Sequence, residues 1–135
     1  IGRGQLKNLE DFIEKRRKIY KNYFDALSPI EGIDFMSQAE YCKSNNWLTT
    51  ITVNQKITKL SRSQIIDNLE KENIESRPVW KPMHLQPLYK NCDYIKNGEQ
   101  DVSAELFLNG LCLPSGSSLS HQDQNRIIDI ILSMF

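Results

Sequence analysis

The chain has 135 residues, of which 39% are hydrophobic and 25% charged, a balance that fits one soluble globular domain and excludes disordered, collagen-like and disulfide-framework classes. Lys plus Arg equals Asp plus Glu at 17 each, so no global field draws the chain to nucleic acid or to an anionic membrane surface. No apolar run reaches the ~20 residues of a membrane span, and the reading is a cytoplasmic protein with no membrane partner. Cys42, Cys92 and Cys112 are odd in number and lack Cys-x-x-Cys spacing, so they read as reduced, mostly buried thiols rather than as zinc ligands.

Over residues 5–27, Leu6, Leu9, Phe12, Ile13, Ile19, Tyr20, Tyr23, Phe24 and Leu27 recur at helical spacing, which predicts one long amphipathic helix. Glu10, Asp11 and Glu14 precede Lys15, Arg16, Arg17 and Lys18, an order that suits the helix dipole and i to i+4 pairing. The basic run reads as a solvated helix face, with a phosphate or partner site as the alternative. Ser28-Pro29 and Gly32 end the helix.

Residues 47–53 are rich in β-branched and aromatic side chains, with Trp47, Ile51 and Val53 on one strand face. Ser61 and Gln64 form a capping-box pattern between Leu60 and Ile65, which predicts a helix reaching about Glu72. Residues 75–81 read as an edge strand, because Pro78 holds Arg77 extended and Val79 and Trp80 favour strands. A short helix over 101–109 closes at Asn109-Gly110, where a left-handed residue is expected. Leu111-Cys112-Leu113 follows as a brief buried strand. Ser120 then caps a last helix with Asp123 three residues on and Ile127, Ile128, Ile131 and Met134 along one face. The fold class is α+β: a two-layer domain in which a short, mostly antiparallel sheet carries helices packed on it.

Candidate chemistry concentrates in Arg77-Pro-Val-Trp-Lys-Pro-Met-His-Leu-Gln-Pro-Leu-Tyr89. Three prolines hold this segment in a restricted path from which Arg77, Trp80, Lys81, His84 and Tyr89 project. A guanidinium can take a phosphate or carboxylate, an indole a flat ring, and an imidazole a titrating group. An ordinary connection, with Trp80 in the core and His84 bonded to a carbonyl, is the competing reading. Pro114-Ser-Gly-Ser-Ser118 leads into a helix start and reads either as a capping loop or as an anion site. No nucleotide-binding glycine motif, nucleophile elbow or paired-histidine metal motif occurs, so no catalytic residue and no metal ligand is assigned.

Three ordered stretches carry a resemblance: Gly2-Arg-Gly-Gln-Leu6 with the basic helix through Arg17, residues 74–89, and residues 106–120. Together they resemble DegT/DnrJ/StrS-type sugar aminotransferases, most closely the branch forming UDP-linked 4-amino-6-deoxy-hexosamines. The resemblance implies the carboxy-terminal small domain of a type I aminotransferase fold. Residues 1–135 would be that single domain, with 1–27 as a long interdomain helix and 47–135 as an α+β sandwich. It implies transfer of an amino group, from glutamate, to a keto nucleotide sugar with pyridoxal 5'-phosphate as cofactor. The cofactor-bonding lysine and its partner carboxylate would lie in an upstream large domain, so the cofactor is not expected to bind this chain alone. Lys81 is therefore not that lysine. Arg77, Trp80, Lys81 and His84 take a substrate-side role, with Trp80 expected to be more buried than Lys81 or His84. The family's pairing of subunits implies a homodimer in the complete protein. A free-standing ligand-binding or regulatory module is the alternative.

Overall fold

Local capping and β-branched clusters set most element boundaries in the computed structural model, which describes residues 2–96 and 98–135. Helices α1 (Gly2–Leu6) and α2 (Leu9–Leu27) come first, followed by strands β1 (Ile33–Phe35) and β2 (Thr49–Val53). Helices α3 (Gln55–Thr58) and α4 (Arg62–Lys71) precede strand β3 (Arg77–Pro78). After two 3₁₀ turns at Met83–Leu85 and Pro87–Tyr89 come helix α5 (Val102–Asn109), strand β4 (Gly110–Leu113) and helix α6 (His121–Leu132).

The expected helix over 5–27 is two helices. Asn8 leaves the helical region at φ −108° and ψ 6°, and its amide instead donates to Gln5 O at 3.1 Å. Asparagine favours such local breaks because it is a weak helix-interior residue. Ile1, at the start of the interdomain helix expected over 1–27, lies outside the described residues. The amphipathic reading of α2 holds, with Ile19, Tyr23 and Leu27 buried. At α4 the capping box forms as predicted: Ser61 Oγ accepts from Gln64 N at 3.3 Å while Ser61 N donates to Gln64 Oε1 at 2.9 Å. At α6, Ser120 Oγ accepts from Asp123 N at 3.0 Å.

All strand pairs are antiparallel, and the sheet order is β1-β2-β4-β3. The three segments expected to share a sheet do so, and β1 adds an edge that the sequence reading omitted. Gly32 makes that edge possible: at φ 89° it turns the chain after α2, and its carbonyl accepts from Asn54 N at 2.8 Å. β3 is only two residues long because Pro78 has no N–H for the ladder; Val79 N continues to Gly110 O at 3.1 Å.

Burial alternates along β2, with Thr49, Ile51 and Val53 inside and Thr50 and Thr52 half-buried on the other face. Ile51, Val53, Leu111 and Leu113 meet Tyr23 and Leu27 from α2, Ile65 and Leu69 from α4, and Ile127 and Ile131 from α6. Burying each such side chain contributes about 1.5–3 kcal/mol, so this layer contact is what holds sheet and helices together. Two polar side chains enter it with partners. Tyr23 donates to Pro114 O at 3.1 Å, and Gln124 Nε2 donates to Ile19 O at 2.7 Å.

Two further expectations change. Gly110 is extended at φ −94°, not left-handed; it is required because a Cβ there would collide with Leu106 O and approach Val79 Cγ2 at 2.7 Å. Of the three cysteines only Cys112 is buried, Cys42 and Cys92 being exposed and all three free. Among the described residues no helix is long and apolar enough to cross a membrane, and no group of three potential metal-ligating side chains forms.

Candidate functional site

A cleft of about 590 Å³ opens where β3, the end of β4 and the segment entering β2 converge. Its walls include Trp47, Arg77, Trp80, Lys81, Phe107 and Ser115. The antiparallel pairing of Arg77 with Cys112 and of Thr49 with Leu113 brings these three chain segments side by side. Pro78 and Pro82 then keep the strand's continuation extended, so Trp80 and Lys81 leave the sheet edge together.

Trp47 and Trp80 dominate the entrance. Their rings stack with centroids 6.2 Å apart and planes inclined by 26°, while Trp80 stays 66% exposed and Trp47 58%. Two large indoles held face to face outside the core present flat, apolar surface to solvent, which is the kind of surface a planar ring occupies. Phe107, also in the lining, is backed by the Arg62 guanidinium 4.5 Å from its ring centroid.

The cations of the cleft are exposed. Arg77 Nε donates to Glu75 Oε1 at 2.7 Å in a surface pair, and such pairs contribute at most about 1 kcal/mol. An incoming anion can therefore replace Glu75 at small cost. Ser76 lines the same cleft, and among the described residues its buried hydroxyl has no hydrogen-bond partner. Ser115 is committed elsewhere: its hydroxyl accepts from Thr49 N at 2.9 Å and donates to Leu113 O at 2.8 Å. The loop over 114–118 thus braces the sheet and leads to the α6 cap.

His84 does not line the cleft. It sits in the first 3₁₀ turn with only 16% of its side chain exposed, stacked on Tyr94 at 3.7 Å between centroids. Its Nε2 lies 2.8 Å from Asp101 Oδ2. Asp101 caps α5: Oδ1 accepts from Ala104 N at 3.0 Å, from Ser103 Oγ at 2.9 Å and from Tyr94 OH at 3.1 Å. The Ala104 amide, with Ser103, Tyr94 and the His84 ring, outweighs partial desolvation and holds this carboxyl down to about 2. An ionised carboxylate only accepts, so Nε2–H of His84 is the donor.

Of the four residues singled out in the sequence, the structure brings Arg77, Trp80 and Lys81 to one cleft and puts His84 in a separate clasp at the foot of the same loop. The expected burial order fails against His84, Trp80 being far more exposed than His84, while Trp80 and Lys81 are both exposed. Aliphatic side chains and Tyr23 already fill the core, so the indole finds its partner at the surface. Trp47, read as a strand residue, precedes the strand and forms the facing wall. The turn-forming run Ser44-Asn45-Asn46 is the signal that was available: Asn46 adopts φ 48° immediately before Trp47, and the strand begins only at Thr49.

A model of the DegT/DnrJ/EryC1/StrS aminotransferase family matches residues 1–132. EpsN of Bacillus subtilis (strain 168), provisionally assigned as a pyridoxal phosphate-dependent aminotransferase, is 40% identical over 100% of this chain and 34% of its own. GDP-perosamine synthase of Escherichia coli O157:H7 is 28% identical over 97% of this chain and 34% of its own. The crystal structure of a DegT DnrJ EryC1 StrS aminotransferase from Brucella abortus superposes with a TM-score of 0.79 at 29% identity, covering 96% of this chain and 33% of that one. The chain therefore spans about a third of the length of the relatives it matches.

A pyridoxal phosphate site needs a lysine held against the cofactor and a carboxylate for its pyridine nitrogen. The cleft does not fit that group: Lys81 is exposed, and Glu75, the carboxylate of the lining, is held by Arg77. The match along nearly its entire length nonetheless decides descent, and this chain belongs to the DegT/DnrJ/EryC1/StrS aminotransferase family.

Proposed function

We propose that this chain is the carboxy-terminal small domain of a longer cytoplasmic, homodimeric aminotransferase that moves an amino group from glutamate to a keto nucleotide sugar. Pyridoxal phosphate, bound by residues of the complete protein other than these, supplies the electron sink for that transfer. The contribution of this chain is to bind and orient the sugar nucleotide. The observation that carries the reading is the exposed Trp47–Trp80 pair beside the exposed cations of the cleft, Lys81 and the Glu75-paired Arg77. The indoles offer stacking area for a base, and Arg77 and Lys81 offer donors for a diphosphate. His84 acts on this surface through the loop: its bond to Asp101 anchors the segment that carries Trp80 and Lys81.

The two halves of the reaction separate the roles. In the complete enzyme, Trp80→Ala and Lys81→Ala should each raise KM for the sugar nucleotide while the half-reaction with glutamate keeps its rate. Loss of a stacking partner corresponds to about 1–3 kcal/mol, or roughly a five- to 150-fold change in KM. Unchanged sugar kinetics in both variants, or equal losses in both half-reactions, would reject the assignment of the cleft.

A further inference from the structure

The basic run of α2 does not behave as one solvated face. Lys15 pairs with Asp11 at 2.7 Å, but Arg16 and Arg17 are half-buried, and among the described residues neither makes an ion pair with a carboxylate. Their guanidinium donors go to backbone carbonyls. Arg16 Nη1 donates to Trp47 O and, at 3.1 Å, to Ser115 O; Arg17 Nε donates to Ser44 O at 2.8 Å. Both Trp47 and Ser115 line the cleft.

The segment tied down in this way has no ladder of its own. Between Ser44 and Trp47 the backbone is irregular, bonded mainly to nearby side chains: Asn46 N to Ser44 Oγ at 3.0 Å and Trp47 N to Asn45 Oδ1 at 3.1 Å. Asn46 is in the left-handed region. Trp47 is a mostly exposed side chain on such a segment, so local bonds alone leave its ring free to swing. Trp80, by contrast, is fixed by the β3–β4 pairing and by Pro78 and Pro82. The distance between the two indoles thus depends on what holds the Trp47 backbone, and that is the guanidinium fork of α2.

We propose that Arg16 and Arg17 are positioning residues that set the Trp47 wall of the cleft against Trp80. The value of this for ligand selection rests on the cleft being the sugar-nucleotide surface proposed above, whereas the positioning itself does not. An arginine suits the role because its rigid planar fork can reach two carbonyls from separate segments while remaining charged. Glutamine in its place is shorter, is uncharged and offers fewer donors.

The chain contains two tryptophans, and both stand in this pair, so the exciton couplet of the stacked indoles in circular dichroism reads the geometry directly. Trp47→Phe and Trp80→Phe set the baseline without a couplet. Arg16→Gln is expected to lose about half or more of the couplet amplitude, Arg17→Gln a smaller share, and Lys18→Gln, on the exposed side of α2, none. The helical signal should persist in all three. A full couplet in folded Arg16→Gln, or an equal loss in Lys18→Gln, overturns the proposal. Should Arg16→Gln fail to fold, Arg17→Gln decides: a reduced couplet supports the proposal and an unchanged one overturns it.

A ligand arm separates this idea from the functional one. Binding of UDP to the complete protein, followed by quenching of tryptophan fluorescence, should weaken in Arg16→Gln in step with the couplet. Loss of the couplet in Arg16→Gln with no UDP binding by the parent protein leaves the positioning role standing and removes the cleft from substrate recognition.

Discussion

His84 and Asp101 are joined by a 2.8 Å bond between Nε2 and Oδ2 that spans 17 residues of sequence and ties the proline-rich loop to the N-terminus of α5. Tyr94 closes the arrangement, stacking on the imidazole and donating to the same carboxylate. One clasp therefore fixes the loop and the helix start together.

Replacing His84 should consequently act on stability. His84→Ala removes a largely buried donor and its ring stack, a loss that typically costs about 1–3 kcal/mol. The melting temperature is expected to fall by several degrees, with faster amide exchange across residues 83–95. A melting temperature equal to that of the parent would show the clasp to be dispensable and free His84 for direct contact with a ligand.

Asp101 gives the clasp its pH dependence. Its carboxyl titrates at about 2 in the folded chain against an ordinary value of 3.8, chiefly because Ala104 N–H donates to it. A group with a lowered folded value stabilises the fold above its unfolded value, and that stabilisation fades as pH drops from about 4 through about 2. Asp101→Asn keeps a capping oxygen but not the charge. Thermal melts of the two proteins should thus differ at pH 6 and converge by about pH 2; a constant gap across that range contradicts the assignment.

Gly110→Ala tests the corner between α5 and β4. The added methyl would collide with Leu106 O and crowd Val79 Cγ2 at 2.7 Å, neither of which can retreat without disturbing a helix end or the β3 edge. Overpacking of this kind costs about 1–3 kcal/mol, read as a lower denaturant midpoint. The adjoining cleft should be perturbed too, since Val79 and Phe107 both line it. Unaltered stability would mean that the corner has room that the backbone geometry denies.

Chemistry on pyridoxal phosphate should be missing from this chain by itself. Incubation with the cofactor and borohydride, followed by intact mass measurement, is expected to give at most scattered, substoichiometric labelling of surface lysines. One equivalent placed on a single lysine, Lys81 above all, would show that the cleft holds the cofactor after all.

How far the sequence determined this protein follows from the reach of the interactions involved. The Ser61–Gln64 box, the Ser120 cap, the apolar stripe of α2 and the β-branched run of β2 depend on partners within a turn or two of sequence, so pattern alone located them. The stretches over 2–17, 74–89 and 106–120 likewise carried the family resemblance, now matched by the family model along residues 1–132. The candidate site was legible as a list of residue types, Arg77, Trp80, Lys81 and His84, but not as an arrangement. Whether an indole faces the core or solvent depends on how much space the other side chains leave. Here the aliphatic core was already full, so Trp80 paired with Trp47 across 33 residues of chain. Arg16 reaches Trp47 and Ser115, 31 and 99 residues away, and no local periodicity encodes such partners. Tertiary structure alone decided that a basic helix face would become the brace of a cleft, because only the folded sheet brings those carbonyls within reach of a guanidinium.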